Sequence, residues 1–309
     1  MTTLTTFRRQ AAPLAGRYFQ ATAPASGHST TTIVFGATGA LGSSMTVNDL
    51  FTDYWVYLPA ASANDRVRVV STYTPSTGTL TVDRAYSAST VPNSKVVELH
   101  GLLQPFADDL STFTWTTAIN EALKHIWLPV EFTITPTAQA VRHSLATQTW
   151  ITSAQQILDV GWLMSGETRA NVDPYRNRAV FGEVEVDGAT LYLQHEPRTF
   201  ATNETIYVRA AKRAYDHCKA SGGSYGDQSG LAAEADESPV PAEPVALGAL
   251  VEALLALRND LPNAAREELN PKQGEWAARW TSVQRAYLNR LPASRFKRRM
   301  SFFSDRRGY

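Results

Sequence analysis

The sequence predicts an α+β protein: antiparallel β modules, each a small barrel or sandwich, combined with an α-helical portion and an extended C-terminal arm. Three observations predict it. Residues 30–100 alternate short Thr-, Val- and Tyr-rich runs with turn residues, the composition of pleated, half-buried strands. From Trp115, and again after residue 244, apolar residues recur at helical spacing instead. After Leu291 the periodicity stops, and Arg and Lys interleave with aromatic residues.

Residues 1–29 read as an N-terminal extension, and MTTLTTFRRQAAPLAG lacks the apolar core of a signal peptide. The stretch IVFGATGALGSSM at 33–45 spaces Gly36, Gly39 and Gly42 like the phosphate-binding turn of a dinucleotide enzyme. That turn must be followed by a helix, a second strand and an acidic residue about 20 positions on. Here SSMTVNDLFTDYWVYLP offers no helical stripe, and the run Val67 to Tyr73 leads into TYTPSTG. The three glycines are therefore expected to be turn residues between short strands, with no cofactor. A NAD(P)-binding oxidoreductase is the least favoured alternative.

The first β module spans 30–104. VRVVSTY and TLTVDRAY flank the turn TPSTG, and SKVVELH follows AYSASTVPN. Residues 105–218 combine a helix with a second antiparallel module. Trp115, Ile119, Leu123 and Ile126 form the helical stripe, Ala118 and Ala122 widen it, and Pro129 ends it. In VFGEVEVDGATLYLQ, Asp187-Gly188 is expected to be a two-residue hairpin turn, and TIYVRAAKRAY supplies a partner strand. Residues 219–244 are rich in Gly, Ser, Ala, Pro and acids, and are expected to form a mobile loop that contributes little to folding. Residues 245–291 form a helical pair. Leu247, Leu250, Val251, Leu254 and Leu255 make one face of its first helix. In its second, Asn270 is the expected N-cap, Pro271 takes the first helical position, and Trp276, Trp280, Val283 and Tyr287 line one side.

Chemistry-bearing residues are scattered. The 29 basic and 29 acidic residues balance, so no global field recruits nucleic acid or an acidic membrane, and no run is apolar enough to cross one. One cysteine, Cys218, excludes an intramolecular disulfide framework and a Cys-based zinc site, which fits a reducing cytoplasm. His28, His100, His125, His143, His195 and His217 stand singly, without metal-ligand spacing. Glu183, Glu185 and Asp187 alternate along one hairpin, as the wet face of an antiparallel strand does. No catalytic, cofactor-binding or metal residue is expected.

The segment 292–309 is different. Arg295, Lys297, Arg298, Arg299, Arg306 and Arg307 crowd against the single acid Asp305, together with Phe296, Phe302, Phe303 and Tyr309. Such a segment can bind nucleic acid by phosphate neutralisation and base stacking, or act as a solubilising tail. It reads best as an arm that docks on a partner protein, since exposed rings gain nothing in water.

The succession resembles a known group. A β module containing DYWVYLP and VRVVSTYTPSTGTLTVDRAYS, then the helix WTTAINEALKHIW, then a module ending ATNETIYVRAAKRAY, is similar to virion proteins of tailed bacteriophages, above all the neck proteins that serve as head-to-tail adaptors or connectors. The resemblance implies a ring of identical copies, commonly a dodecamer, assembled in the host cytoplasm. Its partners would be the portal protein, gripped by terminal arms, and the next neck ring or tail protein, with DNA passing through the channel without sequence-specific binding. A minor tail or receptor-binding virion protein is the alternative.

Overall fold

A computed structural model describes residues 1–36, 47–59, 66–87, 92–105, 113–134, 154–163, 166–176, 184–187, 190–193, 205–257 and 263–291. The expected class is observed: antiparallel sheets of six, three and two strands accompany the helices. The chain divides into two compact units, one of residues 1–123 and 218–281, the other of residues 124–217 and 282–309.

The first unit begins with strand β1 (Thr2–Thr3) and helix α1 (Leu4–Leu14), so the first residues are not a mere extension. Thr3 caps the helix by accepting a 3.2 Å hydrogen bond from the Thr6 amide. Gly16, at φ +71°, ends it in the left-handed conformation and donates to the Pro13 carbonyl. Leu4, Phe7, Arg8, Ala11 and Ala12 form its buried stripe.

Six strands follow: β2 (Tyr18–Thr22), β3 (Thr32–Val34), β4 (Trp55–Tyr57), β5 (Val67–Thr74), β6 (Thr79–Val82) and β7 (Val96–His100). They form one antiparallel sheet in the order β2-β7-β4-β5-β6-β3. Edge strands β2 and β3 both feed one core that includes Ile33, Phe51, Val56, Val70, Leu80 and Leu99, with Phe19 and Ala21 packed against it. The sheet therefore curls around its apolar face as a small barrel does. Because β2 belongs to it, the module starts before residue 30.

Gly36, the first glycine of the dinucleotide-like stretch, sits at φ +81° just past β3, and β3 pairs antiparallel with β6. A Cβ on Gly78 would lie 2.5 Å from the Gly36 carbonyl oxygen, so these glycines let two turns meet backbone to backbone. This is not the parallel strand–helix–strand setting of a dinucleotide turn. Gly39 and Gly42 lie outside the described residues.

Helix α2 (Trp115–Lys124) buries Trp115, Ala118, Ile119, Ala122 and Leu123, the stripe its spacing predicts. In the second unit, β8 (Trp127–Ile134), β9 (Ala154–Leu163) and β12 (Thr205–Arg213) form a three-stranded sheet with β12 central. A hairpin pairs β10 (Val184–Asp187) with β11 (Thr190–Leu193). Asp187, expected in the turn, is opposite Thr190 in that ladder and so belongs to the strand, while Gly188 lies outside the described residues. Gly161 lies under the short helical turn Pro174–Arg176, where a Cβ would meet the Pro174 carbonyl oxygen at 2.5 Å.

Residues 219–244 correct the expectation of a loop that matters little to the fold. Strand β13 (Glu237–Ser238) pairs with β1, and Lys219 bridges Glu237. Leu231, Asp236, Ser238 and Val240 are buried. Asn120 of α2 holds the Leu231 backbone at both ends, accepting from its amide at 2.8 Å and donating to its carbonyl at 3.0 Å. Side chains already fixed by the fold supply the partners that the segment's composition lacks.

Helix α3 (Ala242–Ala256) is buried on nearly every side from Val245 to Leu254. The single apolar face expected from Leu247 to Leu255 is thus too narrow a description, and Leu255 is 52% exposed. Helix α1 packs on α3. Helix α4 (Asn263–Arg290) is 28 residues long. It starts a full two turns before the expected N-cap, so Asn270 and Pro271 lie inside the helix, where proline removes one backbone bond without ending it.

Candidate functional site

Every residue proposed for partner binding, namely Arg295, Phe296, Lys297, Arg298, Arg299, Phe302, Phe303, Arg306, Arg307 and Tyr309, lies outside the described residues. What the structure does describe is the helix that leads to them. Trp276, Trp280, Val283 and Tyr287 share one side of α4, as their spacing predicts, with Trp280 4% and Tyr287 8% exposed. Gln273, Ala277, Gln284 and Leu291 border that stripe, and the remaining circumference from Lys272 onward is exposed.

Trp280, in the C-terminal half of α4, is seated by a glycine. A Cβ on Gly248 of α3 would lie 2.6 Å from Trp280 Cη2 and 2.9 Å from the Ala122 Cβ of α2. The indole therefore rests on bare helix backbone where three helices meet. Its packing, and not a polar bond, holds α4 there.

A second cluster was not singled out from the sequence. The Glu98 carboxylate is wholly buried and receives three nitrogens: Arg8 Nε at 3.2 Å, Arg9 Nε at 2.8 Å and His100 Nε2 at 3.2 Å. Arg8 is wholly buried too, and its Nη1 donates to Glu234 at 2.8 Å. Glu234 also accepts from the Tyr57 and Thr5 hydroxyls. The Arg8 guanidinium lies 4.4 Å from the centre of the Tyr57 ring. Two cations thus face two carboxylates, and charge balances with His100 neutral.

Electrostatics follow from that balance. Burial pushes the Glu98 carboxyl up, but the His100 hydrogen bond and the Arg8 charge outweigh it and hold the group at about 2. Glu234 is also lowered: burial opposes ionisation, and Arg8 with the three donated bonds prevails. Burial lowers His100 despite Glu98. With Nε2 bonded to Glu98 and Nδ1 buried without a partner, the neutral ring carries its proton on Nε2. This arrangement ties α1, β7 and the 219–244 segment together. Its two carboxylates take all their donors from the fold itself, and it reads as a structural lock.

The sequence held a signal for the lock. Arg8 falls within the stripe of Leu4, Phe7 and Ala11, and a cation in an apolar stripe needs a buried acid. Glu98 and His100 alternate with Val97 and Leu99, a pattern that reads as a wet strand face until a helix covers it.

The other flagged residues do not come together. His28 bonds to the Pro24 carbonyl and accepts from the Val34 amide. His217 is lowered to about 4 by burial and then by Lys212. Cys218 is buried. His143, His195 and Glu183 lie outside the described residues, as do the side chains of Glu185 and Asp187. In the second unit Glu131 accepts from Arg169 at 3.0 Å and from the Tyr175 hydroxyl at 2.8 Å, and Arg209 stacks 4.3 Å from the Tyr175 ring centre. Among the described residues no group of three potential metal ligands occurs, and no helix is long and apolar enough to cross a membrane.

No protein-family model matches the chain, and no curated protein or solved structure matches it either.

Proposed function

We propose that this chain is a structural virion protein that forms a ring in the neck of a tailed bacteriophage, joining the portal of the DNA-filled head to the tail or the next connector ring. The observation that carries the reading is α4. It is about 42 Å long at 1.5 Å per residue, is buried along one stripe from Lys272 onward, and precedes the segment with six cations and four aromatic rings. A helix seated along one stripe and exposed on its other sides from Lys272 onward works as a stalk that delivers an arm to another surface. On a portal, Arg295, Lys297, Arg298, Arg299, Arg306 and Arg307 would pair with carboxylates, while Phe296, Phe302, Phe303 and Tyr309 would fill apolar pockets. Ring symmetry repeats this modest contact once per copy, so the joint becomes strong through multivalency.

The curled sheet and the antiparallel second unit favour one other reading, a minor tail or receptor-binding virion protein, which leaves the stalk without a purpose. The antiparallel setting of Gly36 weighs against a NAD(P)-binding oxidoreductase. The proposed role assigns no catalytic, cofactor or metal residue.

Truncation after Leu291 tests the role. The shortened protein should be soluble and folded, and heads and tails should accumulate separately in lysates. Infectious, fully joined particles made with the truncated protein would overturn the role of the arm.

A further inference from the structure

We propose that copies of this chain associate head to tail through a basic ridge on α4, formed by Lys272, Arg279 and Arg290, which seats on the acidic surface of the next copy. The inference rests on the ring reading above and names the surface that builds the ring.

The three cations are 7 and 11 residues apart. At 100° per residue they fall within about 20° of one another along roughly 27 Å of helix. All three are exposed. Arg279 has Glu275 at 4.0 Å, an exposed pair that contributes little, and Arg290 lies over its own helix's Tyr287 ring at 5.1 Å. The ridge borders the stripe that seats α4: Lys272 and Arg279 are exposed beside it, while Arg290 covers its last ring, Tyr287.

Charge identifies the occupant. Of 29 cations and 29 acids, residues 272–309 hold ten cations and two acids, which leaves 19 cations against 27 acids in the preceding 271 residues. A neutral chain divided in this way is complementary to itself: its basic end is attracted to the body of any other copy. The same acidic body repels polyphosphate, which favours a second copy over nucleic acid.

Three described acids attach in a row along one strand. Asp49, Asp53 and Asp83 are all exposed and all anchored to β5. Asp49 Oδ1 accepts from the Tyr73 amide at 3.1 Å, Asp83 Oδ1 accepts from the Val69 amide at 2.9 Å, and the Asp53 amide donates to the Val70 carbonyl at 3.0 Å. The Asp49 and Asp83 carboxylates are therefore held in place before any partner arrives, Asp83 with Arg84 Nε 4.0 Å away, while Asp53 is fixed through its backbone. Ridge against row is a heterologous contact, the kind that closes into rings.

Sedimentation of the full-length protein tests this, at about 0.1 M and about 1 M salt, where the screening length falls from about 10 Å to about 3 Å. In low salt the average mass should exceed the 33.9 kDa monomer at least about twofold, and high salt should restore the monomer. The variant Lys272→Glu/Arg279→Glu/Arg290→Glu should keep the wild-type circular dichroism and stay monomeric in both salts. Mixed with wild type, it should shorten the assemblies, because it still offers the acidic row but no ridge. Asp49→Asn/Asp53→Asn/Asp83→Asn keeps the backbone hydrogen bonds and the left-handed turns while removing the charge, and it should also stay monomeric.

Wild-type protein that is monomeric in low salt, or a ridge variant that associates like wild type, would overturn the proposal. Association that appears only with added duplex DNA would overturn it in favour of nucleic-acid binding. Failure here leaves the neck role standing, since that role is tested separately by truncation after Leu291.

Discussion

Replacing Glu98 by Gln probes the lock that joins α1 to β7. The substitution keeps the shape and one acceptor but removes the charge that faces Arg8, Arg9 and His100. Its magnitude follows from the structure in two ways. The carboxyl is held at about 2 instead of its ordinary 4.5, and at 1.36 kcal/mol per pKa unit that gap corresponds to about 3 kcal/mol of folding free energy at neutral pH. The side chain is wholly buried, so solvent screening does not reduce the figure. Breaking a buried ion pair by removing one partner costs about 3–5 kcal/mol, which agrees.

The pH dependence has a definite sign. A carboxylate with a lowered folded pKa stabilises above its unfolded value, and that contribution is lost as pH falls from about 4.5 to about 2. His100 acts in the same direction. Its folded form is kept neutral, so below 6.5 the unfolded chain takes up the proton first and stability falls. In Glu98→Gln the loss between 4.5 and 2 should shrink, while the loss that begins near 6.5 persists. Guanidinium denaturation at neutral and acidic pH, combined with hydrogen exchange of peptides from α1 and β7, reads this unit on its own. A variant within about 1 kcal/mol of wild type at neutral pH, with an unchanged acid-side loss, would refute the reasoning.

Two further outcomes follow from the packing. Gly248→Ala should lower stability by about 1–3 kcal/mol through overpacking, although alanine is the better helix former by about 1 kcal/mol, because its Cβ would lie 2.6 Å from the Trp280 ring. Adding Trp280→Phe should recover part of the loss, and a raised thermal midpoint for Gly248→Ala alone would show that the three helices do not meet there. Deleting residues 222–242 should abolish soluble, folded protein, since the deletion removes Glu234 from Arg8 and the buried Leu231, Asp236 and Ser238 from the first unit. A soluble product with a wild-type midpoint would show that the segment is dispensable.

What the sequence by itself determined is local. The β5–β6 hairpin around TPSTG, the buried stripe of α2 and the side of α4 that carries Trp280 each follow from the period of side chains along one element. That period depends only on neighbours a few residues away. The α+β class follows from the same signals in succession, and the charge division between residues 272–309 and the rest is a matter of counting. Only the tertiary structure decided where polar and small residues belong. Arg8 is 90 residues from Glu98 and 226 from Glu234, so no window of sequence contains both a buried charge and its partner. Residues 219–244 read as a loop because their composition offers little apolar area, yet Asn120 and β1 supply bonds that composition cannot anticipate. Gly248 has meaning only beside Trp280, and the true start of α4, two turns before Pro271, was hidden by a residue pair that locally favours a helix start. In each case the deciding energy belongs to a contact between distant segments, which exists only once the chain has folded.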